Sequence, residues 1–170
     1  MKTPKIILLT LLMLMPATAF ANPFDVQMNV ILENYLKIQK LLASDQTTGV
    51  PELAKEINKT SKKLNLNEAP ENFVNHYRNV PAQIQGSSLK MSQNTSIQDI
   101  REAFKELSKP VANWAEMAAP KDVNVYFCSM AKASWVQKSA QVANPYYGQK
   151  MLGCGELVKH HQPNHDHKHQ

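Results

Sequence analysis

Glycine is scarce in this chain, with five in 170 residues, and cysteine scarcer still, with two. Sandwiches and barrels need a turn about every 8–12 residues, so this shortage of glycine argues against an all-β fold. Ahead of residue 160 the one histidine is His76, which has no second donor within a helical turn and reads as a surface or satisfied side chain. There is no glycine-rich phosphate loop, no G-x-S-x-G, no H-E-x-x-H and no C-x-x-C, which removes the enzyme classes built on those constellations. Excess charge of one sign is also lacking: 19 Lys+Arg stand against 14 Asp+Glu, and the lysines are spread rather than interleaved with aromatics. A nucleic-acid surface is therefore not expected. No apolar run reaches the ~20 residues of a membrane-spanning helix.

Against these absences, 43% of the residues are hydrophobic and 19% charged, enough to bury one core in a chain of single-domain length. Lys2 and Lys5 precede the apolar run Ile6–Met15, followed by Pro16 and the small-residue site Ala19-Phe20-Ala21. That order is a secretory signal peptide over residues 1–21, cleaved before Asn22. No membrane span is expected after cleavage. Residues 22–170 would carry 17 Lys+Arg and 14 Asp+Glu, a net charge of +3, in an oxidising compartment.

The middle of the chain carries helical periodicity. Met28, Ile31, Tyr35, Ile38 and Leu42 recur at spacings of 3 and 4. After a Thr-Thr-Gly-Val break, Pro51 suits a first helical position, with Leu53, Ile57 and Leu64 following. Pro70 opens a stretch with Phe73, Tyr77, Val80 and Ile84 on one side, which Pro81 bends or splits. Ser96, with Asp99 three residues on, caps a helix whose apolar series is Ile97, Ile100, Phe104, Leu107, Val111 and Trp114. Pro110 lies inside that series, so a kink between Glu106 and Pro110 is expected. Asp99, Glu102 and Glu106, beside Arg101 and Lys105, read as a solvated charged face. Met28, Tyr35 and Trp114 read as core. The fold class expected is mainly α: an antiparallel three- to four-helix bundle over residues 22–158, with a small irregular or two-stranded C-terminal element.

That element begins after Pro120, where the helical period stops. Val123–Phe127 is a short β-type run into Cys128-Ser-Met130, and Asn144-Pro-Tyr-Tyr-Gly148 is turn-forming. The run after Cys154 can pair with Val123–Phe127, and glycines 153 and 155 allow positive φ or close approach around Cys154. The sulfur residues stand in mirrored order, Cys128-x-Met130 on one limb and Met151-x-x-Cys154 on the other. Thiolate and thioether form a soft donor set for Cu(I) or Ag(I), which Trp135 can shield. A Cys128–Cys154 disulfide is the other reading of the same residues; it closes a loop of about 26 residues, for about 3 kcal/mol. The two methionines would then be core fillers.

The stretch Ile97–Ser108, with Tyr126-Phe-Cys-Ser-Met-Ala131, Trp135-Val-Gln-Lys138, Asn144-Pro-Tyr-Tyr-Gly148 and Met151-Leu-Gly-Cys-Gly-Glu156, carries a family resemblance. Over about Met28 to Val158 the chain resembles an exported helical domain family of unknown function. That family is found alone and as a C-terminal extension of periplasmic adaptor subunits of copper/silver efflux pumps. Its pattern reads Cys-Pro-Met-Ala where this chain has Ser129 in place of the proline, a change that keeps both sulfur atoms. The resemblance implies heavy-metal handling in a periplasm, an efflux adaptor as partner, and no catalytic activity.

Residues 159–170 form a flexible tail holding His160, His161, His165, His167 and His169. Imidazoles at this density suit Cu(II), Zn or Ni with modest selectivity. Two functions follow. One is a non-enzymatic protein that buffers or delivers Cu(I) or Ag(I) through Cys128, Met130, Met151 and Cys154, with the tail as a weaker collecting site. The other is a disulfide-closed helical module that docks a protein partner.

Overall fold

The computed structural model describes residues 22–158, so the expected signal peptide over residues 1–21 and the five tail histidines lie outside the described residues. The described chain is mainly helical and ends in a small antiparallel sheet. Helix α1 spans Pro23–Ala43; Asn22 caps it by accepting the Phe24 N–H at 2.8 Å, and Pro23 occupies the first turn, where its missing donor costs nothing. Its buried face is Met28, Ile31, Tyr35, Ile38 and Leu42, widened by Phe24, Leu32 and Leu36. Helix α2 (Val50–Ser61) starts behind Gly49 and has Pro51 in its first turn. It stops at Ser61, so Leu64 packs from beyond the helix instead of continuing its stripe.

Pro81 splits the next segment. A 3-10 turn at Glu71–Phe73 and the single-turn helix α3 (Val74–Tyr77) precede α4 (Val80–Gln93), which takes Pro81 into its own first turn. Helix α5 runs Ile97–Ala118, with the Ser96 hydroxyl accepting the Asp99 N–H at 3.4 Å, and continues through the buried Pro110. Helix α1 packs on α2, α2 on α4, and α4 on α5. Tyr35 and Phe104, ring centres 4.7 Å apart, join α1 to α5, and the Trp114 indole N–H donates to Asp25 at 2.9 Å.

The sheet has three strands, not two. β1 (Asn124–Cys128) lies between β2 (Ala133–Gln137) and β3 (Glu156–Leu157), both antiparallel to it. The expected partner after Cys154 is β3, with Tyr126 opposite Leu157 and Phe127 opposite Glu156. β2 escapes a periodicity reading because Trp135, Val136 and Gln137 are all buried, which erases the alternation that marks a half-exposed strand. It packs against α5, and its outer edge is closed from within the fold: the Val136 N–H donates to the Tyr35 hydroxyl at 3.2 Å, and the Tyr146 hydroxyl donates to the Ser134 carbonyl. Capping these two groups blunts the template an edge strand offers to another chain.

Candidate functional site

Strand alternation sets the site. In β1 Asn124, Tyr126 and Cys128 point to one face, and the register places Gln137, Trp135 and Ala133 beside them. Tyr126 and Trp135 stack with ring centres 5.5 Å apart, making an aromatic floor beside Cys128. The chain then returns over this floor. Gly155 sits where any Cβ would run into the Trp135 ring, so glycine here serves close approach; Gly153 has open space and a φ outside the positive region. The result brings Cys154 Sγ to 3.0 Å from Cys128 Sγ.

Asn144 organises the return. It is fully buried, its Oδ1 accepts the N–H groups of Tyr146 (2.8 Å) and Tyr147 (3.2 Å), and its Nδ2 donates to the Cys154 carbonyl at 2.6 Å. Its own N–H donates to Leu152 O at 2.8 Å, and the Cys154 N–H donates to Met151 O at 3.0 Å. Gln137, also buried, accepts the Trp135 indole N–H at 2.8 Å and donates to the Ser139 and Gln141 carbonyls.

A second anchor reaches the loop from the helices. Arg101 is half-buried and not part of a solvated face: it donates to Pro145 O at 2.9 Å, to Leu42 O at 2.9 Å and to Asp45 Oδ1 at 2.6 Å. Asp45 Oδ2 accepts the Gln149 N–H at 3.1 Å, and Gln149 Nε2 donates to Ala43 O at 3.0 Å. The Arg101 guanidinium and the Gln149 amide hold the Asp45 carboxyl below its ordinary value. Gly148, at φ 58, passes so close to Asp45 and Arg101 that a side chain there would collide with both.

The two thiols differ. Burial pushes Cys128 up, but hydrogen bonds from Cys154, the Ala131 and Met130 N–H groups and the Asn144 amide outweigh it and bring the thiol below its ordinary value. Cys154, hydrogen-bonded to Cys128, is raised. The pair therefore holds one acceptor sulfur that the other's S–H can serve.

Of the residues read from the sequence, Cys128 and Cys154 come together. Met130 sits in the β1–β2 turn, 61% exposed, and Met151 is half-buried in the 3-10 turn Gly148–Met151 that leads to Cys154. His160, His161, His165, His167 and His169 lie outside the described residues. Among the described residues no three His, Cys, Asp or Glu side chains cluster in a way that could hold a metal ion. The two thiols that do meet are donors of a kind that suits soft monovalent ions and not Ca or Mg. His76 is exposed, as expected. Asn144, Gln137, Arg101 and Asp45 were not singled out by sequence reasoning; the turn signal at Asn144-Pro145 was the one available pointer to any of them.

The sequence model of a family described as "Protein of unknown function (DUF3347)" matches residues 31–122. That match covers more than half of the chain and takes in α2 to α5, most of α1, Asp45 and Arg101, and it ends ahead of β1. No curated protein and no solved structure matches.

Proposed function

We propose that this chain, which belongs to the DUF3347 family of unknown function, is a non-enzymatic periplasmic protein that binds Cu(I) or Ag(I). Cys128 and Cys154 are the principal ligands. Met130 and Met151 supply thioether donors, and the histidine tail is a weaker collecting site for Cu(II), Zn or Ni. The helices serve as an antiparallel bundle that carries the site, and the protein buffers metal or hands it to a heavy-metal efflux adaptor.

One observation supports this above the others: two thiols 26 residues apart in sequence lie 3.0 Å apart beside an aromatic floor, with an exposed methionine on the same turn. With metal–sulfur bonds of about 2.3 Å, a tetrahedral to linear S–M–S angle needs sulfurs roughly 3.8–4.6 Å apart, so loading draws Cys154 about 1 Å or more from Cys128. Exchange of the exposed Met130 thioether for a partner's ligand gives a route for release.

The test is an anaerobic Cu(I) titration of reduced protein against a competing chelator. Wild type is compared with C128S/C154S and with a chain truncated after Lys159. Stoichiometric binding lost in the double variant and kept in the truncation supports the sulfur site; binding lost only with the tail, or never seen, refutes it.

The same short sulfur–sulfur distance favours a second reading, a Cys128–Cys154 disulfide closing an interaction module. A free-thiol count on protein taken from the periplasm separates the two. Two reduced thiols favour metal handling, and none favours the module.

A further inference from the structure

We infer that Arg101 and Asp45 are positioning residues for the cysteine pair: together they form a clasp on the helical part of the chain that sets the distance between Cys128 and Cys154. This concerns the same pair as the proposed function but not whether the pair takes metal, and its readout is metal-free.

Cys128 is fixed by β1, a central strand bonded on both sides. Cys154 is not in a strand; β3, paired with β1 from Glu156 onward, holds it from the C-terminal side, and from the N-terminal side its place depends on how the Asn144–Cys154 loop is held. The loop's internal bonds, centred on Asn144, give it a shape. Its attachment to the helices is supplied by a few groups: Arg101 to Pro145 O, Asp45 to the Gln149 N–H, Gln149 to Ala43 O, the buried Tyr146 ring against Phe104, and, at the loop's entry, Gln39 of α1 to Ala143 O. Arg101 is the crossing point, because its guanidinium bonds Leu42 O and Asp45 on the α1 side and Pro145 O on the loop. A guanidinium does this as a rigid planar fork, which an ammonium cannot reproduce. Gly148 in its left-handed conformation lets the backbone pass directly over the Asp45–Arg101 pair, so the loop is threaded onto the clasp. With the clasp released, the loop keeps its Asn144 turn and its two held ends, at Ala143 and at β3, but pivots between them, and the sulfurs spend less time within bonding reach.

The measurement is the equilibrium between the protein dithiol and glutathione disulfide, on the full chain from Asn22 onward. In that reaction Cys128 and Cys154 give up two protons and two electrons and form one S–S bond, while glutathione disulfide takes them up as two glutathione thiols. The constant reports the effective concentration of one thiol at the other. Arg101→Met and Asp45→Gly are the variants; glycine removes the carboxylate without straining φ 57. Ile84→Ala, at a buried position of α4 far from the loop in sequence, is the control for general loss of stability. Far-UV circular dichroism establishes that each variant is folded, and Asp45→Gly, on an exposed turn, serves if Arg101→Met does not fold. We expect the constant to fall at least tenfold in each folded clasp variant, about 30 mV in potential for this two-electron couple, with Ile84→Ala unchanged and Arg101→Lys not rescued. A fall of less than threefold in a folded clasp variant, an equal fall in Ile84→Ala, or full rescue by lysine overturns the inference. Because no metal is present, failure here leaves the Cu(I) titration to stand or fall on its own.

Discussion

Replacing Tyr35 by phenylalanine tests how the sheet is fastened to the helices. Tyr35 is fully buried, and burial holds its hydroxyl well above the ordinary phenol value, so it is a neutral donor and acceptor at every accessible pH. Its oxygen lies 2.7 Å from Ser108 Oγ and accepts the Val136 N–H at 3.2 Å. The phenylalanine ring keeps the stacking on Phe104, so the change opens no large cavity. What is lost is one partner for a buried backbone N–H and one for a buried hydroxyl. An orphaned buried donor costs about 1–3 kcal/mol, and the serine hydroxyl can turn to a carbonyl one turn back in its own helix, so the expected loss is about 2 kcal/mol. With an m-value of roughly 2 kcal/mol/M, the urea midpoint drops by about 1 M at unchanged m. Ser108→Ala removes one of the two partners, and the double variant should show coupling of about 0.5–1.5 kcal/mol. Faster hydrogen exchange at Val136 is the residue-level signature. A loss below about 0.5 kcal/mol, or an unchanged Val136 amide, would falsify the assignment of Tyr35 as the fastener of β2.

Gly155→Ala forces a methyl into the Trp135 ring and should cost about 1–3 kcal/mol with a changed tryptophan emission, whereas Gly153→Ala, which meets nothing within 4 Å, should be near neutral; equal effects contradict the close-approach account. The Asp45 carboxyl has its pKa lowered in the fold, so its contribution is complete above the ordinary aspartate value near pH 4 and is lost as pH falls through the lower folded value. An NMR titration should place its midpoint below 3.8 and move it upward in Arg101→Met; a midpoint at or above 3.8 in wild type rules out the clasp geometry.

The helices were readable because each buries one stripe, and a stripe survives in the sequence as 3-and-4 spacing. Pro51 and Ser96 marked helix starts for local reasons, a fixed φ and a capping hydroxyl, and Pro81 marked a break through its missing donor, which the structure places in the first turn of α4. The second half of the sheet was not readable, because β2 is covered on both faces and carries no alternation. Arg101 was misread for a related reason. Charged neighbours at helical spacing resemble a solvated face, and only the distant Asp45, Leu42 and Pro145 reveal its work. Cysteine spacing showed that the thiols could meet but not what brings them together, since that depends on the buried amides of Asn144 and Gln137, whose partners are mostly backbone groups that leave no trace in residue identity.

The tyrosine-capped edge of β2 also bears on the order of folding. The β1–β2 hairpin is local and can form within microseconds, but its two caps come from position 35, a hundred residues upstream, and from position 146 downstream. Until both arrive, the hairpin is a short apolar ribbon with an open side, the kind of species that pairs with copies of itself. Conditions that delay either cap, such as a weakened α1 or a truncated C-terminal segment, should therefore lower the refolding yield more steeply with protein concentration than their effect on native stability alone would suggest.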